Sequence, residues 1–217
     1  MADFAARRRI MVDTQVRPSD VTSFPIIDAM LKIPREAYVP DAARELAYLG
    51  GPIPLGDGRQ LMEPRSIAKM LEALDVTPDE MVLEIGPGLG YTTALLAYLA
   101  EAVVAVEENE TLAREAEATL LAQSVDNAAV LTAPLAEGSP KNGPYDAIII
   151  FAGVEEVPVT LTDQLKEGGR IMAVFMSGPL GEVRLGRKLQ GDVSWRVEFN
   201  ATAPILPGFA RAPSFEF

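Results

Sequence analysis

The 217-residue chain contains no cysteine and no histidine. Without cysteine there is no disulfide, no thiolate nucleophile and no Cys-ligated metal, a composition that fits a reducing cytosol. Without histidine the chain lacks the side chain that most often serves as general base, triad member or zinc and iron ligand. No metal is expected. Positive charge is also scarce, with 19 Lys and Arg against 31 Asp and Glu and a formal net charge of −12. A polyanion would meet net repulsion and release few counterions, so nucleic acid is not an expected partner. Long apolar runs are missing too. Residues 147–154 form one of the strongest and are far too short to span a bilayer, while Asp13 follows Arg7-Arg8-Arg9 before an export-signal core can develop. A membrane partner is therefore not expected, and a cytoplasmic location is.

What is present suits a folded, enzyme-sized unit: 48% of the residues are hydrophobic and 23% charged. A single domain over 1–217 is expected, divided into a helical cap and substrate-side segment (1–63), an α/β core (64–176) and an edge hairpin with tail (177–217). Pro18, Pro25, Pro34, Pro40, Pro52 and Pro54 cut the first segment into short helices and turns. Pro64 then opens an amphipathic helix marked by Ile67, Met70, Leu71 and Leu74.

From Met81 onward short apolar runs alternate with helix-period segments, the pattern of repeated βα units around a parallel sheet. Strands are expected at 81–85, 103–107, 129–132, 146–151 and 169–175. Helices are expected at 90–100, 109–123 and 159–166, the second capped by Asn109, and 133–144 reads as loop. Runs 183–189 and 194–201, joined by Gly191-Asp192, predict an antiparallel hairpin. The fold class is thus α/β, a doubly wound and mainly parallel sheet. Phe209, Phe215 and Phe217 make the tail a candidate for packing on the body or for a homodimer interface.

The chemistry concentrates where the strand Met81-Val82-Leu83-Glu84-Ile85 runs into Gly86-Pro87-Gly88-Leu89-Gly90 and a helix beginning near Tyr91. Glycines let the backbone turn sharply and approach a ligand, and a helix start offers free N–H groups. A P-loop's Lys-Ser/Thr pair is absent, which disfavours nucleotide triphosphates. The G-x-G-x-G spacing and the acid Glu84 disfavour a dinucleotide's pyrophosphate, and with it a nicotinamide oxidoreductase. Both suit a cationic amino-acid moiety beside a ribose, as in S-adenosyl-L-methionine (SAM), with Glu107 at the end of the second strand placed for ribose hydroxyls. The bland alternative is a tight strand-to-helix turn.

Met11-Val12-Asp13-Thr14-Gln15-Val16-Arg17, Ile33-Pro34-Arg35-Glu36-Ala37-Tyr38-Val39-Pro40, Leu46-Ala47-Tyr48, Pro52-Ile53-Pro54-Leu55-Gly56 and the stretch 161–170 add a second signal. With the glycine loop, these blocks resemble the protein-L-isoaspartate O-methyltransferases over about 11–174. That resemblance implies a Rossmann-like SAM-dependent methyltransferase acting on isoaspartyl carboxylates of damaged proteins and leaving S-adenosyl-L-homocysteine. By it, Glu84, Ile85, Gly86, Gly88, Gly90, Tyr91, Glu107 and Glu108 bind the cofactor. Gly58, Gln60, Leu61, Met62, Ala152 and Gly153 lie on the substrate side. No catalytic residue is assigned, because Met62 stands where the family has a serine. Ala133-Pro134 likewise replaces a Gly-Asp, and 151–158 agrees with the family only at Glu156-Val157-Pro158. Two other readings stay open: a methyltransferase fold with a different acceptor, and a non-catalytic binding module. Arg17 and Arg59 are candidate partners for an acceptor carboxylate, while Arg7-Arg8-Arg9 reads as a solvated helical face.

Overall fold

The computed structural model describes residues 3–211, so Phe215 and Phe217 lie outside the described residues. The proline-cut segment forms helices α1 (Phe4–Met11) and α2 (Phe24–Lys32), with π and 3-10 turns between and after them. A feature not foreseen from the prolines follows, the antiparallel pair β1 (Ile53–Gly56) and β2 (Arg59–Leu61). Its turn holds Asp57 and Gly58 at φ 49° and 73°, the left-handed geometry that an Asp-Gly pair supplies in tight hairpins.

The core comprises α3 (Pro64–Leu74), β3 (Met81–Ile85), α4 (Tyr91–Leu99), β4 (Ala102–Glu107), α5 (Glu110–Ala122), β5 (Ala128–Thr132), β6 (Tyr145–Val154), α6 (Val159–Thr162) and β7 (Leu165–Ser177). A final hairpin, β8 (Leu180–Leu189) and β9 (Asp192–Asn200), closes the element order. The seven-stranded sheet runs β5-β4-β3-β6-β7-β8-β9. Neighbours from β5 to β7 are parallel, and β8 and β9 are antiparallel. The hairpin turn falls at Gln190 and Gly191, both at positive φ, one residue earlier than the sequence suggested.

Alternation along β6 builds two cores. Ala147, Ile149 and Phe151 join the cluster beneath the cap, α3 and α4, whereas Ile148, Ile150, Ala152 and Val154 face a second cluster with Leu135, Leu161, Leu206 and Phe209. Loop, a single helical turn and the C-terminal tail cover that second face. The expected helix at 159–166 shrinks to α6 because β7 already begins at Leu165, and the Gln164 amide donates to the carbonyls of Glu137 and Thr160 instead of extending the helix. The tail is tied down on its own body. Gly153 N–H donates to Pro204 O and Leu206 N–H to Gly153 O, both 2.9 Å, and Phe209 is buried.

Asn109 caps α5 as expected, its side-chain oxygen accepting from the N–H groups of Thr111 and Leu112 at 2.9 and 3.1 Å. Asn109→Ala should lower stability by about 1 kcal/mol, read as a melting point a few degrees lower. Arg8 corrects the solvated-face reading. Its guanidinium is largely buried, donating to Tyr48 Oη, to the Leu31 and Lys32 carbonyls and to Glu36, and so latches α1 to the end of α2. Among the described residues no helix is long and apolar enough to cross a membrane.

Candidate functional site

In the sheet order β3 lies between β4 and β6, so chain connections leave it in both directions. Ligand crevices in open α/β sheets form at such points, outside the carboxyl ends of the strands. Glu84, the glycine loop and Glu107 stand there. Because side chains alternate, Glu84 shares the face of Val82 and turns toward α4, where Thr93 Oγ1 donates to its Oε2 at 2.5 Å. Among the described residues its Oε1 has no hydrogen-bond partner, although the residue is only 1% exposed. Burial pushes the Glu84 carboxyl up from 4.5 to about 7; the Thr92 and Thr93 hydroxyls oppose the shift and the charge on Glu107 adds to it.

Gly86 and Gly88 have φ of 71° and 60°, which side chains rarely tolerate. Space is equally tight. A Cβ at Gly86 would sit 2.8 Å from Arg59 Nη2 and 3.1 Å from Leu206 Cδ1, and one at Gly88 would sit 2.5 Å from Leu55 Cδ1. The hairpin and the tail thus press directly on the loop.

Glu107 is completely buried, and its carboxylate is fully engaged. Arg59 grips it in a fork, Nη1 to Oε1 at 2.8 Å and Nη2 to Oε2 at 2.9 Å, and Nη2 also donates to Gly86 O at 2.9 Å. Gly88 N–H adds a bond to Oε2 at 3.1 Å and Asn109 N–H one to Oε1 at 3.2 Å. Arg59 therefore meets a carboxylate of its own chain, and Arg17 pairs with Asp13 one helical turn away on the surface.

The other sequence candidates are distributed unevenly. Gly90 is buried at the N-cap of α4, Ile85 belongs to the second core, and Glu108 is exposed. The Tyr91 ring packs 5.9 Å from the Tyr38 ring, with the Arg35 guanidinium 4.9 Å from its centroid. Gly58 is exposed at the hairpin tip and Gln60 is half-buried, whereas Leu61 and Met62 are buried in the cap-side core. Met62 also receives a hydrogen bond from buried Arg35, Nη2 to the Met62 carbonyl at 2.7 Å, while Arg35 Nε donates to Ala47 O at 2.8 Å. Ala152 and Gly153 lie under the tail.

Arg59, Leu55, Leu206, Thr93 and Arg35 were not foreseen in the positions they hold. The Asp57-Gly58 turn was the available signal for the hairpin; contacts such as Arg59 to Glu107 join distant parts of the chain and leave no local pattern. A separate cavity of about 820 Å³ is lined by residues including Glu156, Asp163, Phe175, Trp195 and Arg211, and neither the loop glycines nor the two buried carboxylates border it.

Comparison with known proteins agrees with this fold. Residues 7–195 match the family described as protein-L-isoaspartate(D-aspartate) O-methyltransferase. A protein-L-isoaspartate O-methyltransferase of Pelotomaculum thermopropionicum is 38% identical over 180 residues, covering 83% of this chain and 76% of that protein. Protein-L-isoaspartate O-methyltransferase 1 of Rhodopseudomonas palustris is 40% identical over 192 residues, covering 88% and 78%. A solved protein-L-isoaspartate O-methyltransferase superposes with a TM-score of 0.81 at 25% identity, over 93% of this chain and 66% of that one. A Plasmodium falciparum structure under the same family name, in complex with S-adenosyl-L-homocysteine, shares the fold with a TM-score of 0.79 at 18% identity, over 95% and 99%. With a matched segment running from the first helix of the cap to the last strand of the sheet, the chain belongs to the protein-L-isoaspartate (D-aspartate) O-methyltransferase family.

Proposed function

We propose that this chain binds S-adenosyl-L-methionine and transfers its methyl group to a carboxylate oxygen of isoaspartyl residues in damaged proteins. The observation that carries the reading is Glu84, a buried carboxylate with one oxygen unpartnered among the described residues, followed by a loop whose Gly86, Gly88 and Gly90 all hold positive φ. An orphaned anion in such a place fits a cationic ligand drawn close to the main chain. Glu84 would face the cationic methionyl end, the Gly86-Gly88-Gly90 backbone and the Tyr91 N–H would line the ligand, and Glu107 would accept from ribose hydroxyls with Glu108 at the rim. The cysteine-free composition supports a cytoplasmic setting.

The bound group supplies an electrophilic methyl on a positively charged sulfur. An acceptor carboxylate is already ionised near neutral pH, so methyl transfer to it would need no general base from this chain. A chain without histidine lacks nothing for this chemistry. Its own residues contribute orientation and a site shielded from water.

Transfer of labelled methyl to an isoaspartyl peptide, beside the matched aspartyl peptide, tests the assignment. Selective labelling of the isoaspartyl peptide is expected. A second reading, a methyltransferase with another acceptor, draws on Met62, whose side chain lies in the core and offers no hydroxyl. If only Met62→Ser transfers methyl, that second reading replaces the first.

A further inference from the structure

We infer that Arg59 is a resident competitor for the nucleoside end of the cofactor site, and that the β1–β2 hairpin is a strap whose guanidinium must leave Glu107 before ligand hydroxyls can bind there. This rests on the SAM reading above. A carboxylate offers about four lone-pair directions. At Glu107 they are taken by Arg59 Nη1 and Nη2 and by the N–H groups of Gly88 and Asn109. The two main-chain donors are fixed by the loop and by the start of α5. Only the guanidinium can make room.

The strap and the tail together also fill the volume a ligand would need. Leu55 on β1 and Leu206 on the tail stand against Gly88 and Gly86, at the two places where the missing Cβ atoms leave the loop open to approach. The ends of the hairpin are anchored in the core through Ile53 and Leu61, so the part free to swing is its tip around 55–59. Among the described residues the hairpin is a two-stranded sheet joined to no other strand, and pairs of that size are marginal by themselves. Beyond Arg59, its turn is held to α5 by a 3.3 Å contact from Asn109 Nδ2 to Asp57 Oδ2 at the surface.

Charge balance gives the exchange a direction. The Arg59 and Glu107 side chains are 8% and 0% exposed, so removing the guanidinium alone would strand a buried anion near the second anion, Glu84. A cationic ligand restores the lost positive charge as it enters. At Glu107 neutral hydroxyls replace the guanidinium while the ligand's cationic end faces Glu84, so the two-anion site as a whole keeps its positive charge, and apparent affinity is reduced by the fraction of molecules in which the strap is closed.

The test is calorimetric titration of S-adenosyl-L-methionine into the wild-type protein and Arg59→Gln, with wild-type Arg59 probed in parallel by phenylglyoxal and peptide mass mapping. Removing the competitor is expected to tighten binding by about tenfold or more. Modification of Arg59 should be slow in the free protein and faster at saturating ligand. Equal or weaker binding by the variant would overturn the inference and leave the SAM reading standing, with Arg59 acting as a ligand contact. Absence of binding by both proteins at millimolar ligand would remove the SAM reading and the competitor with it. Should the variant not fold, the wild-type modification decides alone: no acceleration by ligand overturns the inference.

Discussion

Glu84→Gln should make the ligand-free protein more stable at pH 8, by roughly 2 kcal/mol or about 5 °C in melting temperature, while weakening SAM binding at least about tenfold. The sign follows from linkage. Folding raises the Glu84 carboxyl from 4.5 to about 7, so between those values the folded state holds a proton that the unfolded state has released. Wild-type stability therefore falls as pH rises through that window and stays reduced above it. The full ionisation cost is roughly 3 kcal/mol, and an unsatisfied amide on the variant takes back about 1. Thermal melts at pH 5 and pH 8 check this: the wild type should lose stability between them relative to the variant. Parallel profiles, or a variant that melts lower at pH 8, would mean that Glu84 is not a strained anion. The binding loss has the same origin, because the strain of the free carboxylate is what a cationic ligand relieves.

The second large effect is expected at Arg35, which among the described residues is the largest fully buried side chain and has no carboxylate partner. Its guanidinium joins the Ala47 and Met62 carbonyls and lies over the Tyr91 ring, so one side chain ties the cap, the strap's exit and the start of α4 together. Arg35→Ala strips a donor from two carbonyls and opens a large cavity. Part of the loss is returned, since burial disfavours the charge and pulls the Arg35 pKa down. A net loss of about 3 kcal/mol, or roughly 10 °C in melting temperature, should remain. Arg35→Lys should recover little, because a single ammonium cannot copy the planar fork. A melting point for Arg35→Ala within about 2 °C of the wild type would contradict this role.

Much of the architecture was legible because local pattern and burial agree. The Met81–Ile85 strand, the helix after Pro64 and the Asn109 cap follow from alternation, helical period and a single side chain. The parts that escaped depend on tertiary contacts. Prolines at 52 and 54 masked an edge hairpin whose Asp57-Gly58 turn was visible, and α6 was shortened by the strand that follows it. At the site, the glycines and both acids could be picked out by position. That Glu107 is held by Arg59 could not, since the two residues are 48 apart in sequence and each has an ordinary surface identity. Nor could the burial of Met62, which depends on the cap closing over α3 and α4.

The most direct test of the central claim is calorimetric titration of the unmodified protein with SAM at pH 6 and pH 8. One ligand per chain is predicted, bound about tenfold more tightly at pH 8, because the ligand's charge favours ionised Glu84 and the free carboxyl titrates near 7. No heat at millimolar SAM at pH 8 would contradict the account, and would mean that the glycine loop and its two buried acids form a structural turn rather than a cofactor site.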